Sequence, residues 1–120
     1  MTEGRAEVVG RYGVRTLSAI EDFVRHASEA ARVSAKRQRF DPNEADLMAE
    51  ALIVRLGEAV RRMSDQFVAD HPNLMLRPIL DTRNAAAHGY GIVDHQLLWN
   101  AIDHRLPQIR EALNQLLALS

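Results

Sequence analysis

PNEADLMAEALIVRLGEAVRRMSDQFVAD, residues 42–70, is the stretch whose reading decides the fold. Within it Met48, Leu52, Leu56, Ala59, Met63 and Phe67 recur three or four positions apart, the spacing of one face of an α-helix. Leu47, Ile53, Val54 and Val60 widen that stripe, so the helix is expected to pack against more than one neighbour. Pro42 disfavours a helical Asp41 and is itself suited to a first helical turn, while His71-Pro72-Asn73 closes the segment. One long helix is therefore expected from about Pro42 to Asp70.

The same period extends outward in both directions. Upstream, Gly13, Leu17, Ile20, Val24, Ala27 and Ala31 form one stripe of a helix expected over residues 5–37, with Gly10 and Gly13 weakening its first turns. Downstream, after the apolar turn Leu74-Met75-Leu76, Pro78 opens a short third helix that ends near His88, where Gly89 follows. Asp94 is a good N-cap for a fourth helix through Leu98, Ile102, Leu106, Ile109, Leu113 and Leu117. Pro107 lies inside that pattern and is expected to kink or break it. These readings converge on an all-α fold: an antiparallel four- to five-helix bundle forming a single domain over residues 1–120.

Composition narrows the chemistry. With no cysteine among 120 residues, disulfides, thiolate metal sites and a cysteine nucleophile are excluded. No apolar run approaches the roughly 20 residues needed to span a bilayer, and Met1-Thr2-Glu3-Gly4-Arg5 lacks the apolar core of a signal peptide. A cytoplasmic protein with no membrane association is expected. The net charge of -1 argues against coating nucleic acid by charge alone, yet leaves room for a local basic cleft. Fourteen arginines stand against the single Lys36, a bias that suits bidentate phosphate contacts and that a GC-rich genome also produces.

Only one place gathers groups that could do chemistry together. Arg83, Asn84, His88 and Tyr90 stand within eight positions, separated by Ala85-Ala86-Ala87 and Gly89. Asn84 and His88 are four apart and share a helix face. Arg83 and His88 are five apart, about 140° around an ideal helix, and converge only if the helix ends at His88 and the Arg arm reaches back. Arginine holds a phosphate through paired hydrogen bonds, and histidine exchanges a proton near neutral pH. RNA carries its own nucleophile, the 2′-hydroxyl, so an Arg and a His suffice in principle to cleave it without a metal or cofactor. One His per chain is thin for both acid and base roles, which favours a homodimer contributing two motifs. Arg, His and Tyr near a helix end also serve as caps and surface packing, so spacing alone leaves this choice open.

At these residues the chain resembles the HEPN superfamily, most closely its HepT-like toxin branch. Arg83-Asn84-x3-His88 matches the superfamily's Arg-x4-6-His signature, and Tyr90 completes the toxin branch's Arg-x4-His-x-Tyr form. Leu56-Gly57-Glu58-Ala59 with Phe67 and His71-Pro72 is similar to the branch's second helix and its exit. Gly91-Ile92-Val93-Asp94, Leu98-Trp99 and Leu106-Pro107 are similar to its last helix. The resemblance covers roughly residues 17–117. It departs at Met75 or Leu76, where members often carry Trp, and at Thr82, where Met is common; neither removes a chemical group. It implies a helical bundle that dimerises with its motifs facing across a cleft, and metal-independent endoribonuclease activity. It further implies a partner, a minimal nucleotidyltransferase antitoxin that transfers AMP to the motif tyrosine, here Tyr90. Arg83 and His88 would be catalytic, Asn84 would orient His88 or the RNA substrate, and Tyr90 would contact RNA and serve as the control point. The other reading is a non-catalytic HEPN module that binds a nucleotidyltransferase partner or a nucleotide.

The remaining polar residues read as structural. Glu58 either reaches the motif or, the better reading, forms a salt bridge or part of a solvated face. His71 is a helix-exit residue, and His26 stands alone on the first helix. His95 and His104 are nine apart, about 2.5 turns, and cannot chelate one metal. Trp99 is expected in the core or a dimer interface. The basic run Arg32, Lys36, Arg37 and Arg39 reads as a solvated helix end, although it could guide RNA.

Overall fold

A computed structural model of the chain describes the backbone of residues 4–88 and 94–118, and side chains for residues 4–84 and 94–118. Its helices are α1 (Arg5–Tyr12), α2 (Val14–Ala35), α3 (Pro42–Arg62), α4 (Asp65–Asp70), α5 (Leu76–His88), α6 (His95–Asn100) and α7 (Leu106–Ala118). Short 3-10 turns at Arg37–Arg39 and Pro72–Leu74 punctuate the chain, and a π turn at Ala101–Arg105 joins α6 to α7. Among the described residues the fold is all-helical, as expected, with long rods packed antiparallel.

The boundaries correct several expectations. The first helix is two helices, because Gly13 has φ 96° and ψ 163°, a conformation that favours glycine and ends α1. The expected helix over 42–70 is also two. α3 stops at Arg62, Met63 is extended, and Ser64 caps α4 by accepting from the Phe67 N–H at 3.0 Å. The Ser64 N–H in turn donates to Thr16 Oγ1 at 2.9 Å, so the break is satisfied from α2. An N-cap of this kind contributes about 1 kcal/mol. Hydrophobic periodicity runs straight through the break, since Met63 and Phe67 are both buried. α5 begins at Leu76, earlier than the expected Pro78; the proline still falls in the first turn, where its missing N–H costs no hydrogen bond.

Just before Pro107 the α-helical pattern is interrupted locally, as expected, by the π turn. The Leu106 N–H reaches back five residues to the Ala101 carbonyl, and this widened turn leads into the proline. Asp94 caps α6 as expected, accepting from the Leu97 N–H at 3.2 Å.

The antiparallel packing can be followed through its cross-links. On α2 and α3, Asp22 pairs with Arg62 at 2.6 Å, while Glu29 lies 4.0 Å from Arg55. On α3 and α6, Glu50 meets His95 and Asp46 meets Trp99. α7 runs back along α2 toward α1, where Arg5 donates to the Leu117 carbonyl at 3.3 Å. Ile20, Phe23, Ile53, Leu56, Phe67, Ile102, Leu106 and Leu113 fill the core between these rods. α5 lies on the flank of α3 and carries the residues of interest.

Candidate active site

Leu76 and Ile79 are buried and fasten the first turns of α5, which fixes the helix that presents Arg83. Arg83 faces α3 at its point of closest approach. A Cβ built on Gly57 would overlap the Cβ and Cγ of Arg83 and lie 3.3 Å from its Cδ. The glycine is therefore a contact surface for the aliphatic stem of the arginine.

The head group is held by two partners. Arg83 Nη1 donates to Asn84 Oδ1 at 3.0 Å, and Nη2 donates to Glu58 Oε1. The Arg83 side chain is only 13% exposed, whereas Glu58 is 44% exposed and opens to solvent. Arg61 Nη1 stands 3.9 Å from the same carboxylate oxygen, so two guanidinium groups share one anion. Among the described residues Arg83 Nε–H is buried without a hydrogen-bond partner, a state that natural interiors rarely leave uncompensated.

Three of the four expected residues fall on described backbone. Arg83 and Asn84 are adjacent on α5, and Asn84 Oδ1 accepts from the Arg83 guanidinium. His88 is the last residue of α5, and its side chain lies beyond those described. The Arg83 arm crosses to Glu58 on α3. Tyr90 lies outside the described residues. Glu58 does reach the motif, the reading the sequence disfavoured, and it does so as the salt-bridge partner of the motif arginine.

A second polar cluster stands at the start of α6. His95 Nε2 is 2.9 Å from Glu50 Oε2 and its Nδ1 is 3.8 Å from Asp46 Oδ2. Trp99 Nε1–H donates to Asp46 Oδ1 at 2.9 Å, and the Arg37 guanidinium lies 4.3 Å over the indole ring. Trp99 is thus a core residue with its one donor satisfied, and Arg37 of the basic run covers it. The hydrogen bond to Glu50 raises the His95 pKa above its ordinary 6.5, with Asp46, Glu50 and Asp94 adding in the same direction against partial desolvation. Because the folded pKa is raised, the stabilisation is fully present below about pH 6.5 and is lost as pH rises through the folded value. Wild type should therefore lose melting temperature as the pH rises above about 6.5. In His95→Gln that slope should flatten; an unchanged slope in thermal melts would assign it elsewhere.

Sequence reasoning had placed none of Gly57, Asp46 or Glu50 in a polar site. The signal for the acids was present: Asp46 and Glu50 are four apart on the widened face of α3. Among the described residues no group of acids and histidines could hold a metal ion, and no helix is long and apolar enough to cross a membrane.

The family model described as Ribonuclease HepT-like matches residues 15–116, which includes the whole of α3 and α5. The chain belongs to the HepT-like ribonuclease family. No curated protein and no solved structure shows a significant match to it. Within this HepT-like chain, the arginine buried against Gly57 is the first residue of the Arg-x4-His spacing.

Proposed function

We propose that this chain is a metal-independent endoribonuclease toxin that cuts RNA at the cleft of a symmetric dimer. The observation that carries the reading is the state of Arg83, in a chain of a ribonuclease family: a held guanidinium with one N–H unpartnered among the described residues. A cation fixed in advance stabilises the extra charge of a pentavalent phosphate without reorganising during the reaction.

The RNA 2′-oxygen attacks the neighbouring phosphorus as the bond to the 5′-oxygen breaks. His88 takes the proton from the 2′-hydroxyl or returns one to the leaving oxygen. Arg83 and His88 both lie in α5, about 140° apart around its axis, so one copy does not present both on one face. A second copy across a two-fold axis supplies the complement, which supports the dimer. Asn84 and Glu58 orient Arg83, and an incoming phosphate competes with Glu58 for it. Tyr90 is the control point: its hydroxyl takes AMP from a minimal nucleotidyltransferase antitoxin, adding bulk and negative charge beside the phosphate site.

Purified protein in EDTA should cut an RNA oligonucleotide and leave 2′,3′-cyclic phosphate ends. The same oligonucleotide with 2′-deoxyribose at the cut position should stay intact. RNA left whole, or both substrates cut alike, would end this reading. Co-expression with the antitoxin should add adenylyl mass to Tyr90 in wild type and none in Tyr90→Phe.

A further inference from the structure

We propose that the hollow between α3, α4 and α5 is a subsite for a nucleotide flanking the scissile phosphate. Its phosphate is held by Arg61 and Arg77, and its base lies against Val60, Val68 and Leu80. This inference rests on the ribonuclease reading above and adds where the strand goes beyond the cut.

The hollow measures about 180 Å³ and is lined by Val60, Arg61, Asp65, Val68, Arg77 and Leu80. Three of those six side chains are aliphatic and two are cationic, which suits a ligand with one flat apolar part and one anionic part. Arg77 makes no hydrogen bond or ion pair among the described residues. Arg61 has one such contact, its 3.9 Å approach to Glu58. Both cations are therefore available to an anion at little cost in protein contacts. A flexible, singly stranded substrate fits better than a duplex, because only an unstacked base can turn into a hollow of this kind.

Position connects the hollow to the candidate active site. Arg61 and Arg83 share the Oε1 atom of Glu58, so the two sites adjoin across a single carboxylate. Along α5, Arg77, Leu80, Asn84 and position 88 fall three, seven and eleven residues on, which is one face of the helix. Arg77 precedes Arg83 by six residues, a rise of about 9 Å with a rotation of about 120° around the axis. That rise, with the reach of two arginine arms, suits a phosphate one or two nucleotides from the cut. Asp65 is the only acid in the lining. It disfavours a second phosphate there and accepts from a base amino group, so guanine, adenine or cytosine is preferred to uracil.

The test uses the full chain and oligonucleotides of increasing length on either side of the cut. In wild type, kcat/KM should rise when the strand becomes long enough to reach the hollow. The Arg61→Gln, Arg77→Gln double variant should lose that gain, with KM for the longer strand up roughly tenfold. Its salt dependence should fall by about 0.7 for the one phosphate contact removed. Arg110→Gln on α7 removes the same kind of charge elsewhere and should keep the gain. Equal losses in both would mean diffuse attraction only and overturn the subsite, as would a double variant that matches wild type.

Affinity for a non-cleavable 2′-O-methyl oligonucleotide keeps the two ideas separable. Wild type that binds it but cuts no RNA ends the ribonuclease reading, and the length series in binding still decides the subsite. Wild type that does neither overturns both.

Discussion

Arg83→Met lowers the rate of RNA cleavage by roughly a hundred- to a thousandfold while leaving the melting temperature within a few degrees of wild type. The two effects separate because the arginine has two parts. Its stem lies against Gly57, and methionine keeps an unbranched apolar chain there. Its head group is oriented by Asn84 and Glu58 but leaves Nε–H without a partner among the described residues, and methionine removes that buried donor. Glu58, 44% exposed, is released to water and to Arg61 and is not stranded in the interior. What is lost is the cation beside the developing phosphate charge. His88→Ala should give a loss of roughly a hundred- to ten-thousandfold for a different reason, the absence of a proton acceptor or donor. Steady-state cleavage and thermal melts on the same preparations check both. An Arg83→Met protein that cuts RNA at the wild-type rate would remove Arg83 from the mechanism.

Gly57→Ala destabilises the fold by about 1–3 kcal/mol. Helix propensity alone argues the opposite, since glycine within a helix costs roughly 1 kcal/mol relative to alanine. Packing decides the sign. The new methyl would meet the Cβ and Cγ of Arg83, and a Cβ rides on the backbone and cannot rotate away. Relief requires α5 to lift from α3, which also draws Arg83 away from Glu58. The melting temperature should fall by roughly 5–10 °C, and cleavage should fall with it. A Gly57→Ala protein as stable as wild type would mean that the helices separate freely at this point. In that case the close approach would not be what positions Arg83.

Much of this arrangement was legible in the sequence because a helix writes its buried face at a fixed period. The stripes through Leu52–Leu56–Ala59 and Ile109–Leu113–Leu117 belong to the core as expected. The breaks were not legible from periodicity. Met63 and Phe67 stay in step across a break of only two residues, and the backbone N–H of the capping Ser64 is satisfied by Thr16, nearly fifty positions away. Gly13 is the break between α1 and α2 and not merely a weak start, and its φ is a property of the backbone that no side-chain pattern announces.

The site divides in the same way. Arg83 and Asn84 stand out as a local constellation, and their spacing is visible along one helix. Glu58 and Gly57 act on Arg83 from a different helix, twenty-five and twenty-six positions earlier. Nothing in the spacing of α5 could announce them, although Gly57 inside an otherwise good helix was a sign of a close neighbour. The acids Asp46 and Glu50 show their four-residue spacing, but nothing in it points to their partner His95 on the far side of the motif.

The π turn before Pro107 has an effect beyond accommodating a proline. The buried positions Leu98, Ile102, Leu106, Ile109, Leu113 and Leu117 advance nineteen residues in five steps, an average of 3.8. On an uninterrupted α-helix that interval would leave the first and last of them about 100° out of phase. A π turn acts as one surplus residue and cancels a drift of that size. The last two helices are thus a single rod with a phase correction built into it, which lets α6 seal against α3 while α7 seals against α2.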